Sequence, residues 1–278
     1  MALKLMYITN RPEIAKIAEN AGVDRIFVDM EYIGKDERQA NLDTVKSHHT
    51  ISDIQRIKEV VTKAEILVRV NPIHESSSQY MCSEKEIDSA ILSGADIIML
   101  PMFKSLDEVK QFITYIDGRA KTMLLVETPE AVGIIEQIVK LKGIDSIHIG
   151  LNDLHLALHR KFMFELLADG TVDEICSAIA SSNIAYGFGG IARIGYGLLP
   201  AEYVIREHYR LGSSCAILSR AFCNADKMDD VTEIERLFST EMIRIRQTEK
   251  NAKEMTNLEL LENHNTVKRL VNKIVVTN

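Results

Sequence analysis

Two apolar runs in this chain each deliver a carboxylate. "TMLLV" runs straight into Glu127, and "SIHI" is followed by Gly150, Asn152 and then Asp153. If both runs are neighbouring strands, their ends lie about 5 Å apart between backbones. Two acids so placed can share one hard divalent cation, which takes one or two protein carboxylates and completes its shell with water and substrate oxygens. The same positions also suit an acid favoured by a helix dipole and a loop residue capping the next helix. Spacing alone leaves both readings open. Arg69 ends the run "EILV". A guanidinium there is costly to bury without an anion, which could be a substrate oxyanion or a structural carboxylate. Asp29 and Glu31 in "RIFVDME" alternate, so they face one side of a strand. They read as a functional cluster or as hydrogen-bonding partners for adjacent strands.

Further along, "KSHHTISD" sets His48 beside His49. Histidine titrates near neutrality and can act as a base, although a His pair in a polar loop is also simply solvated. "YGFGGIARIGYG" holds five glycines between Gly187 and Gly197 together with Arg193, and Arg220 follows the next apolar run. Glycines let backbone N–H groups approach an anion, so a phosphate or second carboxylate is one reading and tight turning the other. In "HLALHRKFMFELLADG", Met163, Phe164, Leu166 and Leu167 fit a lid, a subunit contact or plain core.

These residues need a scaffold that gathers strand ends. The chain has 278 residues, 46% of them hydrophobic and 26% charged, enough for a large core. Eight β-rich runs start near Leu3, Arg25, Glu65, Ala95, Lys121, Asp145, Ile184 and Cys215. Most are continuous rather than alternating, as parallel strands covered on both faces should be. Helical patterns separate them. Pro12 and Gly22 bracket one, Ser105 and Glu108 form a capping box for another, and Thr128 with Pro129 opens a helix expected to reach Gly143. Strand–helix units of roughly 30 residues closing at eight give an α/β fold, a (β/α)8 TIM barrel, over residues 1–223. A doubly wound open sheet is the runner-up. Residues 224–278 read as the closing helix and a C-terminal helical extension. Apolar positions recur there at helical spacing, at Val231, Ile234, Leu237 and Phe238 and again at Leu258, Leu260, Leu261, Leu270 and Val271. One helix can cover the barrel, and the second is expected to bury its stripe on a neighbouring copy.

Net charge is −7 and there is no long basic stretch, which argues against nucleic acid and anionic membranes as partners. No run approaches the roughly 18 apolar residues of a membrane span. Four scattered cysteines and the absence of a leader pattern at the start lead us to expect reduced thiols and a cytoplasmic setting.

"LVRVNP", "GADIIMLPMFKSLDEV", "LLVETPEAV" and "GIDSIHIGLNDL", in that order, resemble the HpcH/HpaI aldolase/citrate lyase β-chain family. The likeness spans roughly Leu3 to Cys223. It implies an oligomeric TIM barrel that makes or breaks carbon–carbon bonds through an enolate held on Mg²⁺, Mn²⁺ or another divalent cation. Carried over by motif, Glu127 and Asp153 would be metal ligands, and Arg69 would bind the keto oxygen or carboxylate. Gly150, Asn152 and Arg193 are expected substrate contacts beside it. Pyruvate-type members carry a histidine shortly after the strand-two acid, where this chain has Tyr32 and Ile33. Asp29, Glu31 or His48 is therefore expected to move the proton. The leading expectation is a metal-dependent aldolase acting on pyruvate or a related 2-oxo acid, assembled as a homo-oligomer. The alternatives are an acyl-CoA lyase or thioesterase of the citrate lyase β type, and a barrel that has lost catalysis and serves as a binding subunit.

Overall fold

A computed structural model describes residues 2–35 and 48–277. The stretch 36–47, with the end of "YIGKDERQ" and the start of "KSHHTISD", lies outside the described residues. Eight strands close in sequence order: β1 (Lys4–Ile8), β2 (Arg25–Asp29), β3 (Glu65–Arg69), β4 (Ile97–Leu100), β5 (Lys121–Val126), β6 (Ser146–Ile149), β7 (Ala185–Ile191) and β8 (Cys215–Leu218). All neighbouring pairs are parallel, and β1 pairs with β8 to close the ring. This is the expected (β/α)8 barrel. Met6, Phe27, Leu67, Ile97, Met99, Met123, Leu125 and Cys215 pack inside it. A second, larger core lies between the strands and the outer helices. That two-sided burial is why the strands read as continuous apolar runs.

The helices start where their caps dictate. α1 (Pro12–Asn20) has Pro12 in its first turn, and α2 (Ile51–Lys58) carries a Thr50/Asp53 capping box. α3 spans Ser83–Leu92. α4 (Leu106–Ile116) opens on the expected box, with Glu108 Oε2 accepting from the Ser105 amide at 2.8 Å. Thr128 Oγ1 accepts from the Ala131 amide at 3.1 Å to start α5 (Pro129–Gly133). The single helix expected from Thr128 to Gly143 does not form. Gly133 and the β-branched Ile134 and Ile135 weaken it, and the chain breaks at Ile134 before α6 (Ile135–Ile138). α7 (Leu151–Ala157), α8 (Glu165–Ala168), α9 (Thr171–Ala180) and α10 (Ala201–Arg210) follow. Phe164, Leu166 and Leu167 are buried core.

Beyond β8, a short 3₁₀ turn (Ala225–Lys227) leads into α11 (Val231–Glu254) and α12 (Asn257–Thr277). α11 packs on α1 and α10, and α12 packs on α10 and α8 of the same chain. The expected stripe divides: Leu260 and Val271 are buried against the same chain, together with Val267, Leu270 is partly buried, and Leu258 and Leu261 are exposed. Polar contacts fix this docking. Glu207 on α10, fully buried, accepts from Asn263 Nδ2 at 2.9 Å and lies 2.9 Å from His264 Nδ1. α11 also reaches the entry of β1. Glu249 Oε1 accepts from the Leu3 amide at 2.7 Å, and Arg246 donates to the Leu3 carbonyl at 2.8 Å. Among the described residues no helix is long and apolar enough to cross a membrane.

Candidate active site

The C-terminal ends of the strands surround a cavity of about 320 Å³. Its walls include Asp29, Lys35, Arg69, Glu127, Gly150, Asn152 and Asp153. A wider cleft of about 720 Å³ opens at the other end, around the starts of β3 to β5. Two of its lysines are paired, Lys58 with Asp96 and Lys121 with Glu65. Barrels do their chemistry at the strand C-termini, so the smaller cavity is the candidate site.

Asp29 and Arg69 are direct register partners on β2 and β3. Arg69 Nε and Nη2 donate to the two Asp29 carboxylate oxygens at 2.8 and 2.9 Å, a fork-to-fork pair. Arg69 Nη1 lies 3.2 Å from Glu31 Oε2. Lys35 Nζ donates to Asp29 Oδ2 at 2.5 Å and is itself buried. Burial pushes the Asp29 carboxyl up, but Arg69 and Lys35 overcome it and hold it well below the usual carboxylate range. Asp29 is therefore a poor base: it stays ionised and orients two cations. Burial opposes the Arg69 charge, yet Asp29 and Glu31 keep it firmly protonated.

Glu127 is placed by β5 and fixed by a hydrogen bond from the Met102 amide to its Oε1 at 3.1 Å. Met102 holds the left-handed backbone to aim that amide (φ 53°), a costly conformation for a residue with a side chain. Gly150 stands beside Glu127, and a Cβ there would fall 2.9 Å from Glu127 Oε2. Glycine is what leaves the carboxylate its room. Burial, and then the nearby Asp153 carboxylate, push Glu127 well above the usual carboxyl pKa. Asp153 lies in the first turn of α7, whose N-cap is Gly150 without a side-chain cap, so Asp153 is not the capping residue, and it lines the cavity. Lys35 and Arg69 are both engaged by Asp29, and Arg69 also by Glu31.

The histidine pair divides. His48 is exposed, stacks on the Tyr32 ring at 5.7 Å and is not among the cavity-lining residues. His49, the next residue in toward the α2 cap, is buried, and its Nδ1 accepts from the Asp29 amide at 3.0 Å. Burial lowers the His49 pKa, so it buttresses β2 as a neutral ring. Tyr32 fastens the same loop, its hydroxyl donating to the His49 carbonyl. Arg193 also falls outside the cavity lining. Its guanidinium lies 4.2 Å from the Tyr196 ring centroid, while Arg220 lines the mouth instead. Gly150 and Asn152, the other expected substrate contacts, line the cavity. Lys35 was not singled out from the sequence, since its meeting with Asp29 depends on a turn that no spacing rule reveals. His148 on β6, also lining the cavity, was hidden inside an apolar run.

A model of the HpcH/HpaI aldolase/citrate lyase family matches residues 4–168, more than half of the chain. The chain belongs to that family. The match takes in β1 through β6 and the Glu127–Asp153 corner, and ends before β7. Membership places the chain among lyases. A search of curated proteins finds no match. Among solved structures, an HpcH/HpaI aldolase from Desulfitobacterium hafniense DCB-2 is 15% identical with a TM-score of 0.59, covering 92% of this chain and 94% of that one. A family protein from Burkholderia cenocepacia J2315 is 15% identical with a TM-score of 0.60, covering 84% and 95%. The citrate synthase SbnG is 14% identical with a TM-score of 0.56, covering 90% and 95%. At such identities the likeness is one of fold. A tryptophan synthase from M. tuberculosis scores 0.59 at 12% identity, so barrel shape does not itself decide chemistry.

Proposed function

We propose that this protein is a divalent-metal-dependent carbon–carbon lyase acting through the enolate of pyruvate or a related 2-oxo acid. The observation that carries this reading is the meeting of two carboxylates at the cavity, Glu127 from the end of β5 and Asp153 from the first turn of α7, near enough that Asp153 adds to burial in disfavouring the Glu127 charge. A divalent cation relieves that repulsion. Among the described residues no group of three or more His, Cys, Asp or Glu is arranged to hold an ion. Two carboxylates suffice for Mg²⁺ or Mn²⁺, which keep water and substrate oxygens in the rest of the shell. Glu127 and Asp153 would hold it, and its chemistry is Lewis-acid polarisation of substrate oxygens.

The chain's own residues supply the rest. Arg69 is fixed in orientation by Asp29 and Glu31 before substrate arrives, so its guanidinium stabilises developing negative charge on the substrate with little reorganisation. Lys35 is the proton carrier. It lines the cavity, holds three N–H donors and sits against a carboxylate that stays ionised. It takes the duty that sequence reading had assigned to Asp29, Glu31 or His48. The intact charged cluster speaks against a barrel that has lost catalysis. The seating of Arg193 on Tyr196 leaves the cavity short of cations for coenzyme A phosphates.

Pyruvate and Mg²⁺ in D₂O test the reading. Proton NMR should show the methyl signal of pyruvate disappearing with enzyme present, and no loss with Glu127→Gln. A methyl signal that persists with Mg²⁺, Mn²⁺ and Co²⁺ would overturn it. We also propose a homo-oligomer in solution, supported by exposed apolar residues on the last two helices, Ile243, Leu258, Leu261 and Val276.

A further inference from the structure

β6 carries an oddity beneath the charged cluster. His148 pairs in register with Leu125 of β5 and Gly187 of β7, and Gly187 pairs with Cys215 of β8. Leu125 and Cys215 belong to the apolar filling of the barrel interior. The imidazole sits among them 1% exposed, yet it lines the cavity. The cavity reaches that depth past small residues in the wall, Gly150 two residues on, Gly190 on β7 and Ser219 after β8, with Ile217 of β8 beside them. Gly187 makes way for Cys215, since a Cβ there would fall 2.4 Å from the Cys215 sulfur.

The hydrogen bonding of this ring is incomplete. Nδ1 lies 3.9 Å from Cys215 Sγ. Burial raises the Cys215 thiol to about 11, so it keeps its proton and can donate it to Nδ1. The ring hydrogen then belongs on Nε2, and Nε2 has no hydrogen-bond partner. A weak hydrogen-bonding contact with the Gly189 backbone opposes the effect of burial on the ring, but no group meets Nε2 at full hydrogen-bond geometry. Burial lowers His148 to about 4, so the ring is neutral at physiological pH. A buried N–H left unmade costs roughly 1–3 kcal/mol. A phenylalanine or leucine would fill this place without that cost.

We infer that His148 is a substrate-binding residue that sets specificity, donating through Nε2 to an uncharged oxygen, a hydroxyl or carbonyl, on the part of the substrate remote from Arg69. An uncharged acceptor fits because the surrounding layer is apolar and offers no counter-ion. The orientation rests on the proposed function, which puts the 2-oxo acid end at Glu127, Asp153 and Arg69.

The test compares a short probe with longer ones. Pyruvate, with three carbons, occupies the charged end alone, whereas 4-hydroxy-2-oxo acids of five to seven carbons extend past Gly150. His148→Phe should fold and melt no lower than wild type, because it removes an unpaired polar group from an apolar layer. Its pyruvate methyl exchange should stay within about twofold, while KM for cleavage of the longer acids rises about tenfold or more with kcat less changed. His148→Gln, which keeps a donor at similar reach, should recover part of the loss. In wild-type protein labelled with ¹⁵N-histidine, the Nε2–H signal of one neutral ring should shift on adding a five-carbon probe. Equal losses on short and long substrates, no loss on either, or an unmoved ring signal at saturating probe would overturn the inference. Lack of methyl exchange in wild type with a shifted ring signal would overturn the functional reading alone.

Discussion

The two sides of the barrel interior are built on opposite plans. From β1 to β5 the inward positions are large or charged: Met6, Phe27, Leu67, Met99, Met123, Leu125, then Asp29, Arg69 and Glu127 at the rim. From β6 to β8 most are small: Gly150, Gly187, Gly190, Cys215 and Ser219, with His148 and Ile217 among them. The first side places charge, and the second makes room. Neither works alone, because fixed charges need a cavity in which water is scarce, and a cavity without them has nothing to offer a carboxylate.

The contrast is broken most severely by disarming the charged side. Arg69→Lys should keep the fold and lose about 10²–10³-fold in turnover, since an ammonium cannot reproduce the fork that Asp29 and Glu31 hold in place. Near-normal turnover in that variant would make Arg69 structural. Crowding the open side comes next. Gly150→Ala puts a methyl group 2.9 Å from Glu127 Oε2, and the affinity for Mg²⁺, read by thermal shift, should fall about 10–100-fold. Unchanged affinity would mean that the carboxylate does not need that room.

The third outcome follows from Glu127. Its folded pKa is raised, so it holds a proton at pH values where an ordinary carboxyl, near 4.3, has lost it. Without metal this contributes stability at low pH that is lost as pH rises through that window. A cation must displace the proton, so Mg²⁺ affinity should climb with pH, about tenfold per unit below the raised pKa. Isothermal titration at several pH values measures the slope, and Glu127→Gln should flatten it. The smallest effect concerns the tail. A chain ending at Gln247 loses α12 and Glu249 and uncovers Glu207. It should remain folded with a melting temperature lower by roughly 5–15 °C. Light scattering should report an oligomer for the intact chain and a smaller assembly for the shortened one. A monomer at micromolar concentration for the intact chain would contradict the proposed assembly.

How much of this was legible in the sequence follows the same division. The barrel was readable because β/α alternation is local, and so were the caps at Ser105 and Thr128. Glu127, Asp153 and Arg69 were readable because strand ends in such a barrel converge. Lys35 was not, because its pairing with Asp29 is made by the course of a loop. His48 was favoured over His49 on the strength of a pair in a polar segment, and the neighbouring helix cap turned the other ring inward. Arg193 drew attention through its glycines, which shape a turn where the guanidinium finds an aromatic ring instead of the cavity. His148 stayed hidden because both faces of a parallel strand are buried, so "SIHI" shows no alternation to mark the inward side. The docking of α12 on its own barrel was not legible, because hydrophobic spacing says that a stripe is apolar and not against what each residue packs.

The contact of Glu249 and Arg246 with Leu3 has a consequence for the order in which the molecule is made. The amide and carbonyl of Leu3 wait for partners synthesised more than two hundred residues later. The seam between β1 and β8 waits equally long. During translation the early strands can form their local units, yet the first remains an open edge until the last-made helices emerge. Contacts of such sequence separation slow folding, because a long loop must close before they reward it. The nascent barrel is therefore a sticky, one-sided sheet for most of its synthesis, and α11 is the piece that latches it shut.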